Sequence, residues 1–145
     1  MLCSEQLNRL TSFGLGVSQM PSREGILAGR RILIVEDEYF LADDLHRHFA
    51  SLGAEIIGPI AYIDDAEAVL KAGESIDGAL LDINIKSGMI FSLARTLMSR
   101  GVPFMFTTGY DKRMLAQDFP DVQIWEKPLD INAMASDLAG LIQRR

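Results

Sequence analysis

Residues 32–38 read Ile-Leu-Ile-Val-Glu-Asp-Glu. Four consecutive apolar residues, three of them β-branched, show no alternation between faces. Such a run suits a strand buried on both sides, as in a parallel sheet. The run ends in three acids. Leu41, Leu45, Phe49 and Leu52 then recur at helical spacing, and Gly53 is a natural stop. The stretch thus predicts a buried strand that delivers carboxylates to the start of a helix.

Outward from it the same unit repeats. Residues 54–60 predict a second strand, followed by a helix capped by Asp64, carrying Ala66, Val69 and Leu70 and ended by Gly73. Ala79-Leu80-Leu81 predicts a third strand closing on Asp82. Phe91, Ala94, Leu97 and Met98 mark a third helix stopped by Gly101. Residues 102–106 predict a fourth strand, with Pro103 tolerable near its start. Residues 111–118 carry weak signals for a short helix. Residues 122–125 predict a fifth strand. Asp130 is placed to cap a last helix bearing Ile131, Met134, Leu138 and Leu141. Five strands alternating with about five helices imply βαβ units. The fold class is α/β, a doubly wound parallel sheet with helices on both faces.

Residues 1–29 differ in character, with four serines, four glycines and Pro21. We expect a flexible arm there. Leu7, Leu10 and Phe13 suggest one short helix with Ser4 as its N-cap, and a docking or dimerisation helix is the sharper alternative. The 145 residues suit one domain plus an appendage, over residues 30–145 and 1–29. A net charge of −6 argues against a general nucleic-acid surface or docking on anionic lipid. No apolar run approaches membrane-spanning length. The lone cysteine, Cys3, precludes an internal disulfide or a Cys-based zinc cluster. Residues 1–20 lack the pattern of a signal peptide, so a cytoplasmic location is expected.

Open parallel sheets bind ligands at the carboxyl ends of their strands. Those ends carry Glu36-Asp37-Glu38, Asp82, Thr107-Thr108-Gly109 and Lys127-Pro128. Gathered at one edge, three carboxylates repel and call for a proton or a cation. Oxygen-only donors favour a hard ion, Mg²⁺ before Ca²⁺. A cation, a lysine and a hydroxyl around one central carboxylate suit phosphoryl transfer onto that carboxylate.

Over residues 30–145 these motifs, in this order, resemble the receiver domain of a two-component response regulator. The resemblance implies a flavodoxin-like (βα)5 fold with strand order 2-1-3-4-5. It makes Asp82 the acceptor of a phosphoryl group from a kinase histidine. Glu36 and Asp37 would hold Mg²⁺ together with Asp82, and Asn84 would lend its backbone carbonyl. Thr108 and Lys127 would each bind a phosphoryl oxygen, and the Lys127–Pro128 peptide is often cis in the family. Pro103-Phe104-Met105-Phe106-Thr107-Thr108-Gly109-Tyr110 is similar to the "FAT GUY" subgroup, with Thr107 in place of its Ala. That subgroup implies a histidine kinase of the HWE or a related type, or a histidine phosphotransfer protein, as partner. Ile124 stands where ordinary receivers have a switch aromatic, and strand alternation turns Trp125 the other way. Tyr110 is the switch candidate instead.

Taken singly, these residues have plainer readings. Glu38 reads as a helix-start residue. Thr107 and Trp125 read as packing residues, and the methionines 89, 98, 105, 114 and 134 as core or interface. His46 and His48 lie off the apolar face of their helix and are expected to be exposed. On this reading the chain is a signalling phosphoacceptor and not an enzyme, with no output domain after the last helix. It would act through a partner protein or a homodimer, and residues 111–118 would be mobile without phosphate. Alternatives within the family are the receiver of a hybrid histidine kinase and a phosphate sink. A Mg²⁺-dependent aspartate-nucleophile phosphatase would need a second carboxylate near Asp82, where Ile83 and Asn84 stand. A pseudo-receiver that only binds proteins would have no use for the full set of acids, Thr108 and Lys127.

Overall fold

The buried run behaves as its composition dictates. In the computed structural model, which describes residues 25–87, 90–109 and 117–145, β1 (Arg31–Val35) lies inside a five-stranded sheet. Its residues 32–35 are at most 1% exposed. Their side chains alternate between two apolar layers. Leu33 and Val35 enter one layer, and Ile32 and Ile34 the other.

The remaining strands are β2 (Glu55–Ile60), β3 (Gly78–Asp82), β4 (Phe104–Thr108) and β5 (Ile124–Glu126). All pair in parallel, in the order β2-β1-β3-β4-β5. Four helices are described: α1 (Tyr39–Ser51), α2 (Ile63–Lys71), α3 (Ile90–Ser99) and α4 (Ile131–Gln143). Helices α2 and α3 bury Ile63, Ala66, Leu70, Leu93, Ala94 and Leu97 on the face of Leu33, Leu81 and Phe106. Helices α1 and α4 cover the other face with Leu45, Phe49, Met134 and Leu138. This is the doubly wound arrangement the alternating pattern predicts. Beneath the end of β4, Phe106 stands edge-on to Phe119, with ring centroids 5.2 Å apart. Among the described residues no helix is long and apolar enough to cross a membrane.

Some boundaries differ from expectation. Helix α2 starts at Ile63, not behind an Asp64 cap. Its first amide donates to Ser87 Oγ at 2.8 Å, from a loop 24 residues ahead, and Asp64 lies within the first turn. Strand β4 begins two residues late because Val102 N–H still bonds Leu97 O at the end of α3. Strand β5 is likewise later and shorter, since Val122 closes a turn onto Phe119 O. Gly53, with φ of 98°, ends α1 as anticipated. Asp130 caps α4 by accepting from Ala133 N–H at 3.1 Å.

Residues 25–29 fall within the expected flexible arm, yet here they pack. Leu27 is fully buried among the α1–α4 layer, and its amide donates to Leu52 O at 2.9 Å. The packed chain therefore begins ahead of Arg30. The short helix expected around Leu7, Leu10 and Phe13 lies outside the described residues. So do Tyr110 and residues 111–116 of the expected mobile segment.

Candidate functional site

The parallel register sets the site. Asp82 ends β3 and pairs with Thr107, which pairs with Trp125. Side chains in one row of a sheet share a face, and successive residues alternate. Leu80 and Met105 enter the α1–α4 layer, so Asp82 and Thr107, two residues on, point the same way. Ile124 packs in the α2–α3 layer and Trp125 in the α1–α4 layer, as the alternation argument requires. Thr108, one residue past Thr107, is directed to the other side, toward Asn84.

Three of the expected acids meet there. One carboxylate oxygen each of Glu36, Asp37 and Asp82 lies within 4.8 Å of the others. Glu36 and Asp82 are each 2% exposed, and Asp37 is half-buried. Lys127 reaches in from the loop after β5. Its Nζ stands 3.3 Å from Asp82 Oδ2 and 3.4 Å from both Glu36 oxygens. These distances exceed those of a tight charge-assisted bond, as expected when one ammonium is shared by two carboxylates. Asp82 Oδ1 accepts from Asn84 N–H at 2.9 Å. Glu36 Oε2 accepts from Glu38 N–H at 3.0 Å, and Asp37 Oδ2 from Lys86 N–H at 3.2 Å.

Burial, reinforced by the charge on Asp82, pushes the Glu36 carboxyl up to about 7. Burial works to lower the Lys127 pKa, but Glu36 and Asp82 together outweigh it and hold the ammonium above its ordinary value. Glu36 Oε1 is buried, and among the described residues none donates a hydrogen bond to it. Such an atom is costly unless something else satisfies it. Three carboxylates facing one ammonium also leave a surplus of two negative charges when all are ionised. The donor set therefore fits one hard divalent cation held by oxygen ligands. Beside it, Asp82 could present a carboxylate oxygen to an electrophile with the ammonium at hand.

Thr108 is 1% exposed. Its Oγ1 donates to Asn84 Oδ1 at 3.1 Å, and Gly109 N–H donates to the same oxygen at 3.0 Å. The sequence reading assigned Asn84 a backbone carbonyl and missed this side-chain role. Nothing in the local pattern signals it, because Thr108 is 24 residues away. The Lys127–Pro128 peptide is cis as the family resemblance implies, and Gly58–Pro59 is also cis. His46 is exposed, while His48 is half-buried and pairs with Asn132 Oδ1 at 3.1 Å. Met105 and Met134 are core residues, whereas Met98 is 48% exposed. Around the acids, Tyr39 and Phe40 are each 75% exposed and Tyr62 62%, and none of the three stood out in the sequence.

No protein-family model matches the chain, and no curated protein matches it. Solved structures do. A response regulator receiver protein from Sinorhizobium medicae WSM419 superposes with a TM-score of 0.72 at 24% identity, over 84% of this chain and 98% of that one. SdrG from Pseudomonas melonis Fr1, in a BeF3-activated conformation, is 33% identical with a TM-score of 0.64, over 79% of this chain and 98% of that one. A response regulator receiver protein from Burkholderia phymatum gives 0.66 at 19% identity, over 79% and 95%. By strand order and overall fold, the chain has the flavodoxin-like fold of the response regulator receiver domains.

Proposed function

We propose that the chain is a phosphoacceptor switch that takes a phosphoryl group onto Asp82 from a phosphohistidine. The observation that carries this reading is the shared Lys127 ammonium, 3.3 Å from a buried Asp82 and 3.4 Å from a buried Glu36. Glu36, Asp37 and Asp82, with the Asn84 carbonyl, would hold Mg²⁺. When bound, that ion supplies charge neutralisation for the phosphoryl oxygens.

The chain's own residues do the rest. A carboxylate oxygen of Asp82 forms the new bond to phosphorus as the bond from phosphorus to the donor imidazole breaks. The electron pair of that bond returns to the imidazole nitrogen, which takes up a proton. Asn84 N–H fixes the orientation of the Asp82 carboxylate. Lys127 balances charge on one phosphoryl oxygen, and Thr108 Oγ1 donates to another. The exposed Tyr39, Phe40 and Tyr62 offer an apolar landing surface beside the acids for the partner that carries the histidine.

The Pro103–Tyr110 motif supports membership of the FAT GUY subgroup, hence an HWE or related kinase, or a phosphotransfer protein, as donor. In that reading Tyr110 takes part in switching. The output runs through protein contacts, including those of a homodimer, and not through catalysis on other substrates. A receiver of a hybrid kinase and a phosphate sink would use the same chemistry.

The test is incubation of the full chain with acetyl phosphate or beryllofluoride, with and without Mg²⁺. Wild type should gain the modification or the complex only with Mg²⁺, and Asp82→Asn should gain neither. Modification that persists in Asp82→Asn would overturn the assignment.

A further inference from the structure

The end of β4 offers two donors toward the site, Thr108 Oγ1–H and Gly109 N–H. Each has a single proton to give. In this structure both are given to one atom, Asn84 Oδ1, at 3.1 and 3.0 Å. The Asn84 backbone amide meanwhile donates to Asp82 Oδ1. One residue therefore joins the acceptor carboxylate, through its main chain, to the Thr108–Gly109 corner, through its side chain. The Thr108 main chain is pinned independently, since its carbonyl accepts from Lys127 N–H at 2.8 Å.

We propose that the Asn84 carboxamide is the resting-state clamp of the switch: its oxygen holds the Thr108 hydroxyl and the Gly109 amide that a phosphoryl group on Asp82 would otherwise recruit. This rests on the phosphoacceptor reading above. A hydroxyl proton donated to Asn84 is unavailable to a phosphoryl oxygen, so the two arrangements are mutually exclusive. The phosphoryl group must break the clamp to engage Thr108. Asn84 then sets the resting population of the switch, and removing its oxygen shifts that population toward the engaged form before any phosphate arrives.

The experiment uses the full chain labelled with ¹⁵N, in wild-type, Asn84→Ala, Asn84→Asp and Asp82→Asn forms. In the metal-free, phosphate-free protein, Gly109 amide exchange should accelerate in Asn84→Ala. It should remain slow in Asn84→Asp, which keeps an oxygen at the same place. The backbone bond from residue 84 to Asp82 survives either substitution, and dispersed core amides report that each variant is folded. Beryllofluoride with Mg²⁺, which does not hydrolyse, should bind Asn84→Ala about three- to tenfold more tightly than wild type, for one to two modest hydrogen bonds released. Equal or weaker binding by Asn84→Ala, or a Gly109 amide as protected as in wild type, would overturn the clamp. A wild type that binds no beryllofluoride, or an Asp82→Asn form that binds it, would instead overturn the phosphoacceptor reading beneath it.

Discussion

Glu36 is the most polarised residue of the site. Its carboxyl titrates near 7 in the fold against an ordinary 4.5, because it is buried and faces Asp82. A raised carboxyl pKa means that folding favours the protonated form. Its contribution to stability is complete below pH 4.5 and is lost as the pH rises through 7. Metal-free protein should therefore lose urea stability as the pH rises from about 4.5 to about 7, and Glu36→Gln should flatten that slope. On the proposed function, Mg²⁺ would compete with the same proton. Its affinity, followed by calorimetry, should fall by up to roughly tenfold per pH unit below 7. In Glu36→Gln it should be weaker and nearly flat across that window. A pH-independent wild-type affinity would refute the role given to Glu36. Glu36, Asp82, Thr108 and Lys127 were legible because each closes or follows an apolar run at a strand end. Asn84 as a side-chain partner was not, since its hydrogen bonds exist only once β3 and β4 lie side by side.

Among the elements, α4 was the most legible. Its cap, apolar stripe and position after Pro128 all agree, and the structure gives Asp130 the expected bond to Ala133 N–H. Asp130→Ala should cost about 1 kcal/mol in urea unfolding, as N-cap losses do. A change within error would mean that solvent replaces the cap freely. Helix α2 shows the limit of local reading. Asp64 has the right chemistry for a cap, but Ser87 Oγ meets the Ile63 amide from the following βα loop and the helix begins two residues earlier. Strands β4 and β5 shifted for a similar reason. The residues before them are apolar, yet their amides are committed to the preceding helix and turn.

At the scale of the whole molecule, alternating periodicities were enough for the doubly wound architecture, and strand order followed from the resemblance. Packing reaches further toward the N-terminus than composition suggests. Gly25 and Gly29 gave residues 25–29 the composition of a linker, while one apolar side chain, Leu27, fills a place between α1 and α4. Leu27→Ala should destabilise the protein by about 2–5 kcal/mol, the range for large-to-small changes in a core. A chain beginning at Arg31 should lose at least as much in the same urea titration. If the Arg31 chain matched wild type, Leu27 would be a passenger on the surface of the fold.

The row that runs Asp82, Thr107, Trp125 has an optical consequence. Trp125 is the chain's one tryptophan, so the whole indole emission of the protein originates at that point. It sits two strand spacings, roughly 10 Å, from the acceptor carboxylate and on the same side of the sheet. Its indole N–H donates to Gln123 Oε1, and its ring is partly buried. The molecule thus carries an unlabelled fluorophore within quenching reach of the acidic pocket, and if Mg²⁺ and a phosphoryl group load there as proposed, each should change the indole emission in real time in a cuvette.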